Sequence, residues 1–229
     1  MIVADGLKKT YGKRVYLDGI CAQVAPGRAL AVVGENGAGK TTLLKILATA
    51  SRPDEGTLMI SGIDAIGNPG GARELIGYVP QANALMGELS VRDNLRYWMK
   101  TRDEIAYRQV IDLIGLSDVE KKKVKTLSGG MQKRLNIGAS LVFAPKLLIL
   151  DEPLAGVDIL NRAKIVSSLN RMKKEGITIV FTSHYIEEMH ALADELIALK
   201  DGKSTYYGDI DFSGSEFDTL SDAIRYYTA

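Results

Sequence analysis

The stretch Gly34-Glu35-Asn36-Gly37-Ala38-Gly39-Lys40-Thr41-Thr42 decides the fold of this chain. Its glycines allow backbone N–H groups to curl around phosphate oxygens, and the helix predicted at 43–48 points its positive end at the same anion. The apolar run at 29–33 predicts the buried strand that precedes such a loop. A glycine-rich turn without a ligand is the alternative. The predicted nucleotide-contacting residues are Gly34, Asn36, Gly37, Ala38, Gly39, Lys40, Thr41 and Thr42.

Two side chains of this loop have the chemistry that phosphoryl transfer requires. Lys40 can reach the β- and γ-phosphates of a nucleotide, and the Thr41 hydroxyl can ligate Mg²⁺. Lys40 is therefore predicted to be catalytic as well as nucleotide-binding, and Thr41 to be a metal ligand.

A second predicted site lies where the apolar run at 146–150 ends in Asp151 and Glu152. A strand of this kind is buried on both faces, so its carboxyl end delivers both acids to the sheet edge where ligands bind. Asp151 is suited to hold Mg²⁺ opposite Thr41, and Glu152 is suited to orient or deprotonate the attacking water. Two acids that merely begin a turn before Pro153 are the alternative.

The composition narrows the class of protein. The chain has 229 residues, with 29 Lys and Arg against 28 Asp and Glu, so its net charge is +1. This balance gives no electrostatic footprint for nucleic acid, and we expect no nucleic-acid partner. No apolar stretch approaches the ~18 residues of a membrane span, and 1–14 lacks the apolar core of a signal peptide. The single cysteine, Cys21, suits a reducing compartment, so we expect a cytoplasmic protein.

Strand-like and helical patterns alternate along the chain, which predicts a largely parallel sheet covered by helices. The expected strands are 77–79, 146–150, 177–181 and 195–199, and the expected helices are 72–76, 90–99, 103–114, 128–143, 159–174 and 185–193. Residues 81–144 read as a helical insertion within one α/β core, which 1–80 and 145–229 form together. Short strands are expected before residue 80, and the tail at 201–229 predicts a hairpin-like turn and one terminal helix.

The stretch Leu127-Ser128-Gly129-Gly130-Met131-Gln132 resembles the signature motif of ATP-binding-cassette (ABC) ATPases. By itself it could be an ordinary serine N-cap followed by glycines. Ser128 and the N–H groups of Gly129 and Gly130 would form a second anion site at a helix N-terminus. In that family this site serves the partner subunit, so two cassettes clamp two ATP molecules head to tail. The resemblance covers nearly the whole chain and implies an α/β fold: a P-loop NTPase core with an N-terminal antiparallel β subdomain and a helical insertion.

Four further residues match the family's nucleotide site one by one. Tyr11 resembles the aromatic residue that stacks on adenine. Because a stacking aromatic tolerates any base, ATP is what the family resemblance implies and not what this tyrosine shows. Gln81 matches the glutamine that reaches Mg²⁺ and the attacking water, and His184 matches the histidine that contacts the γ-phosphate. Asp158 matches the aspartate that reaches across the dimer interface. Outside this resemblance, Tyr11 would be a strand-edge residue, Gln81 a polar loop residue and His184 a structural histidine.

The chain departs from the commonest family pattern at three places. Met131 stands where the commonest signature has glutamine, Leu154 replaces a small hydroxyl residue, and 155–157 reads Ala-Gly-Val. The first departure leaves the phosphate-facing residues in place, whereas the other two concern communication across the dimer. The signature variant, together with Asn136 and the Gly-Val-Asp run, resembles cassettes of bacterial exporters of drugs or polysaccharides.

The resemblance implies an ATPase that drives separate integral-membrane subunits and pairs with a second cassette, identical or different. The expected docking region is 81–94, with Met86, Leu89 and Tyr97 as candidate contacts. Such a protein would lie peripherally on the inner face of the cell membrane. A soluble single-cassette ATPase that acts in complex assembly is the alternative. Translation factors and DNA-repair ATPases fit less well, because the chain has a single cassette and no coiled-coil, zinc or strongly basic insertion.

Overall fold

The computed structural model describes residues 1–82, 84–99, 103–183 and 185–209, without the side chains of 206 and 207. Its strands are β1 (Ile2–Tyr11), β2 (Arg14–Val24), β3 (Ala29–Gly34), β4 (Glu55–Ile60), β5 (Ile63–Asp64), β6 (Ile76–Val79), β7 (Leu147–Leu150), β8 (Thr178–Phe181), β9 (Glu195–Lys200) and β10 (Lys203–Asp209). Its helices are α1 (Lys40–Leu47), α2 (Pro69–Arg73), α3 (Val91–Trp98), α4 (Glu104–Leu113), α5 (Gly129–Leu141), α6 (Ile159–Lys174) and α7 (Ile186–Leu192).

The strands form two sheets. A four-stranded antiparallel sheet has the order β2-β1-β4-β5. A six-stranded sheet has the order β10-β9-β3-β8-β7-β6, in which β10 is an antiparallel edge strand and the other five strands are parallel. Because parallel strands end at the same edge of a sheet, the segments that follow β3, β6, β7 and β8 all emerge there. This edge is where the sequence places its predicted site.

Both faces of the parallel sheet are buried. Along β7, Leu148 and Leu150 face one apolar cluster, whereas Leu147 and Ile149 face the other. The first cluster is completed by α3 to α7, and the second by α1 and the antiparallel sheet. Burial on both faces explains why these strands are uninterrupted apolar runs in the sequence.

The helical insertion packs into the first of these clusters. Leu95 of α3, Ile111 of α4 and Leu135 of α5 belong to the same buried cluster as Leu148 and Phe181 of the parallel sheet. Helices α3 and α4 both contact α5. The start of α5, which carries the signature motif, is therefore held at a fixed position relative to the sheet.

The expected fold class is confirmed, but several boundaries differ. The predicted helix at 72–76 is wrong. Asn68 accepts a hydrogen bond from the Gly71 N–H at 3.0 Å, so α2 begins at Pro69, and Ile76 is already the first residue of β6. The strands β1 and β2, with 10 and 11 residues, are long rather than short. The hairpin of β9 and β10 is as expected, and the terminal helix lies outside the described residues. Within those residues, no helix combines the length and apolar character that crossing a membrane requires.

Candidate functional site

The loop between β3 and α1 has the backbone conformation that its glycines predict. Gly39 has a φ of 107°, and a Cβ there would lie 2.5 Å from the carbonyl oxygen of Tyr16 in β2. A Cβ on Gly34 would lie 2.3 Å from the carbonyl oxygen of Leu199 in β9. Only glycine fits at these two positions, because a backbone carbonyl of another strand approaches each of them closely.

Helix α1 begins at Lys40 with neither a side-chain cap nor an acidic residue in its first turn. The N–H groups of that turn and the helix dipole therefore favour an anionic ligand. Lys40 Nζ donates hydrogen bonds to the carbonyl oxygens of Gly34 and Glu35, at 2.7 and 3.0 Å. Burial lowers the pKa of Lys40, while the negative charges of Glu152 and Asp151 act in the opposite direction. A cation that is partly desolvated in this way interacts more strongly with a phosphate than an exposed one does.

A cavity of about 240 Å³ lies at this edge of the sheet. It joins the phosphate loop to the residues that follow β6 and β7. The lining residues are Tyr16, Asn36, Gly37, Gly39, Lys40, Thr41, Thr42, Gln81 and Glu152. All of these except Tyr16 are predicted site residues, so the tertiary structure brings the predicted phosphate loop together with the predicted glutamine and base.

Asp151 follows β7 directly and is 1% exposed. Its Oδ1 accepts a hydrogen bond from the Thr182 hydroxyl at 2.9 Å, and the same hydroxyl accepts one from the Glu152 N–H at 2.9 Å. Asp151 Oδ2 is buried and has no hydrogen-bond partner in the described part of the chain. A buried carboxylate oxygen of this kind calls for a cation or a bound water. The pattern fits Mg²⁺, which typically takes one or two carboxylates and otherwise uses hydroxyl, water and phosphate oxygens.

Gln81 and Glu152 are in direct contact. Gln81 Nε2 donates a hydrogen bond to Glu152 Oε2 at 3.1 Å. The backbone carbonyl of Gln81 in turn accepts a hydrogen bond from Lys133 Nζ in α5. Burial lowers the pKa of Lys133, and the charges of Glu152 and Asp151 oppose that shift. Sequence reasoning missed Lys133 and Thr182, because one binds a backbone carbonyl and the other is an ordinary threonine after a strand.

The signature residues and Asp158 lie apart from this cavity, since none of them lines it. Ser128 caps α5 and accepts a hydrogen bond from the Met131 N–H at 3.3 Å. Asp158 caps α6 in the same manner through the Asn161 N–H at 3.0 Å. Gly129 is exposed at the start of α5, and a Cβ added there would meet no atom of the described residues within 4 Å.

The aromatic residues at the β1–β2 turn extend the site. Tyr11 is 45% exposed, and its hydroxyl lies 3.1 Å from Ser51 Oγ. Its ring meets the ring of Tyr16 edge to face, with centroids 5.2 Å apart. Tyr16 lines the cavity, whereas Tyr11 adjoins it through Tyr16. The sequence carries a signal for Tyr16, because it is a second tyrosine only five residues after Tyr11. His184 lies outside the described residues.

Comparisons with known proteins identify the family to which this chain belongs. The sequence model of the ABC transporter family matches residues 17–155, more than half of the chain. The linearmycin resistance ATP-binding protein of Bacillus subtilis is 35% identical over 214 residues, which are 91% of this chain and 69% of that protein. The daunorubicin resistance ATP-binding protein DrrA3 of Streptomyces coeruleorubidus is 37% identical over 216 residues, with 92% and 68% covered. The chain therefore spans about two thirds of the length of these relatives.

A solved structure, that of the ATP-binding subunit of an ABC transporter, has the same fold. It superposes with a TM-score of 0.89 over 100% of both chains, at 23% sequence identity. The match of the family model, the identity of the two relatives and the geometry of the phosphate loop agree with one another. This chain therefore belongs to the ABC transporter family and is one of its ATP-binding ATPase subunits.

Proposed function

We propose that this chain hydrolyses Mg-ATP as the nucleotide-binding subunit of an exporter, paired with a second cassette and driving separate membrane-spanning subunits. The observation that carries this proposal is the cavity at the sheet edge, where Lys40, Gln81 and Glu152 meet. Export is supported by the names of the two relatives, which are resistance proteins. A soluble cassette acting in complex assembly would use the same nucleotide site, so the partners decide between the two.

The phosphates of ATP are proposed to lie against the loop between β3 and α1. The backbone N–H groups at Gly34, Asn36, Gly37, Ala38, Gly39 and Thr42 would surround them, and Lys40 would pair with the β- and γ-phosphates. Tyr11 is proposed to stack on adenine. Its exposed ring and its contact with Tyr16 on the cavity wall support that role.

Mg²⁺ is proposed to be held by Thr41, Gln81 and Asp151. The buried, unpartnered Oδ2 of Asp151 supports this assignment. When bound, the ion supplies neutralisation of the charge on the transferring phosphate. The hydrogen bond from the Thr182 hydroxyl to Oδ1 holds the Asp151 carboxylate in place and leaves Oδ2 for the ion.

Glu152 is proposed to accept a proton from the attacking water, with Gln81 holding its carboxylate and His184 contacting the γ-phosphate. Glu152 has a φ of 49°, a conformation that few residues other than glycine adopt. The hydrogen bond from its N–H to Thr182 helps to hold this backbone in place. Strain retained by surrounding contacts is common at catalytic residues.

The second cassette is proposed to bind ATP against Ser128, Gly129 and Gly130, with Asp158 reaching across the interface. These residues lie outside the cavity of their own chain, as a site completed by a partner requires. Ile159 and Leu160, directly after Asp158, are strongly exposed apolar residues. Exposed apolar side chains at a predicted interface are favourable only when a partner covers them.

The membrane-spanning partner is proposed to dock on the helical insertion, which we propose to be 81–144 within a single domain of 1–229. Tyr97 and Trp98 at the end of α3 are exposed, and their rings pack edge to face with centroids 5.1 Å apart. Ile105 in the first turns of α4 is exposed as well. Such an aromatic surface resembles the anchor of a protein interface. The chain would then lie peripherally on the inner face of the cell membrane.

The nucleotide site is tested by Lys40→Ala, which should lose both ATP affinity and turnover, with Lys45→Ala of the same helix as the control. A wild-type rate in the Lys40 variant would exclude this phosphate site. The partner is tested by recovering a tagged chain from mildly solubilised membranes. A stoichiometric protein with several membrane spans supports the exporter, and recovery with soluble partners alone supports the assembly ATPase.

A further inference from the structure

Arg162, in the first turn of α6, donates hydrogen bonds to two different loops at once. Its Nε donates a hydrogen bond to the carbonyl oxygen of Val157 at 2.7 Å, just before Asp158. Its Nη2 donates a hydrogen bond at 2.8 Å to the hydroxyl of Tyr185, which is the residue that follows 184 in the chain. The guanidinium carbon also lies 3.7 Å from the centre of the Tyr185 ring.

The segment 183–185, which follows β8, is also anchored at Ser183, through the buried carboxylate of Glu188. The Ser183 hydroxyl donates a hydrogen bond to Glu188 Oε2 at 2.5 Å, and it accepts one from the Tyr185 N–H at 2.9 Å. Ser183 and Glu188 are both buried. The residues on either side of 184 are thus fixed, one by α7 and the other by Arg162.

We infer that Arg162 is a positioning residue, which links the loop carrying the interface residue Asp158 to the segment carrying the γ-phosphate residue His184. This inference rests on the proposed function, because it deepens the roles proposed there. When the interface around Asp158 forms, the resulting change in position would reach the hydrolytic side of the same chain's nucleotide site through the Arg162 side chain. Turnover would then depend on the partner cassette without any contact between Arg162 and the nucleotide.

The chemistry of arginine suits this link. Its planar guanidinium presents several donors in a fixed fork, so one side chain can serve a carbonyl and a hydroxyl while it stacks on a ring. Lysine has a single ammonium group and cannot reproduce the three contacts together.

The test compares Arg162→Gln, Arg162→Lys and Tyr185→Phe with Arg171→Gln in the full chain. Arg171 is an exposed arginine on the same helix that pairs with Glu175, so it controls for loss of charge on α6. We expect the two Arg162 variants to lower kcat about ten- to hundredfold, the scale of a small misplacement in an active site, with KM and single-chain ATP binding nearly unchanged. Tyr185→Phe should lower kcat less, since it removes the hydrogen bond and keeps the ring.

The double variant Arg162→Gln with Tyr185→Phe separates positioning from independent effects. If the two residues form one link, the double variant is no slower than Arg162→Gln alone. Three results would each overturn the inference. The first is a double variant whose loss of kcat is the product of the two single losses. The others are an Arg162→Gln rate equal to that of Arg171→Gln, and parallel losses of ATP binding and kcat. Should Arg162→Gln fail to fold, Tyr185→Phe with unchanged kcat overturns it as well. Absence of hydrolysis by the wild-type chain would instead refute the proposed function.

Discussion

Gln81 donates a hydrogen bond from its side-chain amide to the carboxylate of Glu152, with Nε2 and Oε2 3.1 Å apart. The two residues are 71 positions apart in the chain and follow the neighbouring strands β6 and β7. Gln81 is also the first residue of the helical insertion, and its backbone carbonyl accepts a hydrogen bond from Lys133 in α5 of that insertion. The proposed base is therefore in contact with the part of the protein that is proposed to bind the membrane partner.

Replacement of Glu152 by glutamine should leave ATP binding intact and lower turnover about 10²- to 10⁴-fold, the contribution of a general base. The amide keeps the shape of the side chain but cannot accept the proton. Equilibrium ATP binding and steady-state hydrolysis measure the two effects separately. Glu35→Gln, in the phosphate loop of the same chain, serves as the matched control. Nearly normal hydrolysis by the Glu152 variant would refute the assignment of the base.

Replacement of Gly39 by alanine should destabilise the fold by about 1–3 kcal/mol, the usual cost of a strained backbone, and abolish ATP binding. The new Cβ would lie 2.5 Å from the Tyr16 carbonyl oxygen, in a residue with a φ of 107°. Gly12→Ala is the control, since Gly12 has a φ of 60° but the added Cβ would have no described atom within 4 Å. Denaturant unfolding and nucleotide titration test both effects. If the two variants behave alike, the close approach of Tyr16 is unimportant.

Replacement of Thr182 by valine should lower the free energy of unfolding by about 1–3 kcal/mol, because a buried carboxylate loses its donor and a backbone N–H loses its acceptor. The affected groups are Asp151 Oδ1 and the Glu152 N–H. Thr57→Val, at an exposed position of β4, should change stability by no more than about 0.5 kcal/mol. Chemical denaturation without nucleotide gives both values. An equally small change for Thr182→Val would contradict the role of this hydroxyl.

Replacement of Tyr78 by phenylalanine should reduce the loss of stability at high pH. Burial, aided by the negative charge of Asp151, raises the pKa of Tyr78 from 10.0 to about 12. The unfolded chain then ionises first, so stability is full below pH 10 and falls as the pH rises towards about 12. The phenylalanine variant lacks this contribution and should show a shallower decline. Tyr107, with a pKa also raised to about 12, remains in both proteins, so the difference between their stability curves isolates Tyr78.

At neutral pH the same substitution should cost little stability. The Tyr78 hydroxyl is buried and has no hydrogen-bond partner among the described residues, so its removal breaks no bond there. Denaturant unfolding over the alkaline range, with the neutral value as reference, measures both effects. Identical pH profiles for the two proteins would show that the Tyr78 phenol does not titrate in the way described.

The local parts of the site were predictable because short segments fix them. The turn from β3 to α1 follows from glycines 34 and 39. The helix starts at Ser90, Ser128 and Asp158 follow from side chains that accept a hydrogen bond from the N–H three residues on. The run at 146–150 predicted a strand buried on both faces, and β7 is one. The misplaced helix at 72–76 shows the limit of such reasoning, since Asn68 and Pro69 set an earlier start.

The sequence by itself determined the phosphate loop and the acidic strand end, because each depends on residues close in the chain. The class of fold followed from the alternation of strand and helix patterns. Only the tertiary structure decided which distant groups meet. The hydrogen bonds of Gln81 with Glu152 and of Thr182 with Asp151, and the link from Arg162 to Tyr185, depend on strand order and helix packing. No local pattern encodes them, since burial of the same apolar runs is compatible with many pairings. In the strand order that forms, both faces of the parallel sheet are covered at once.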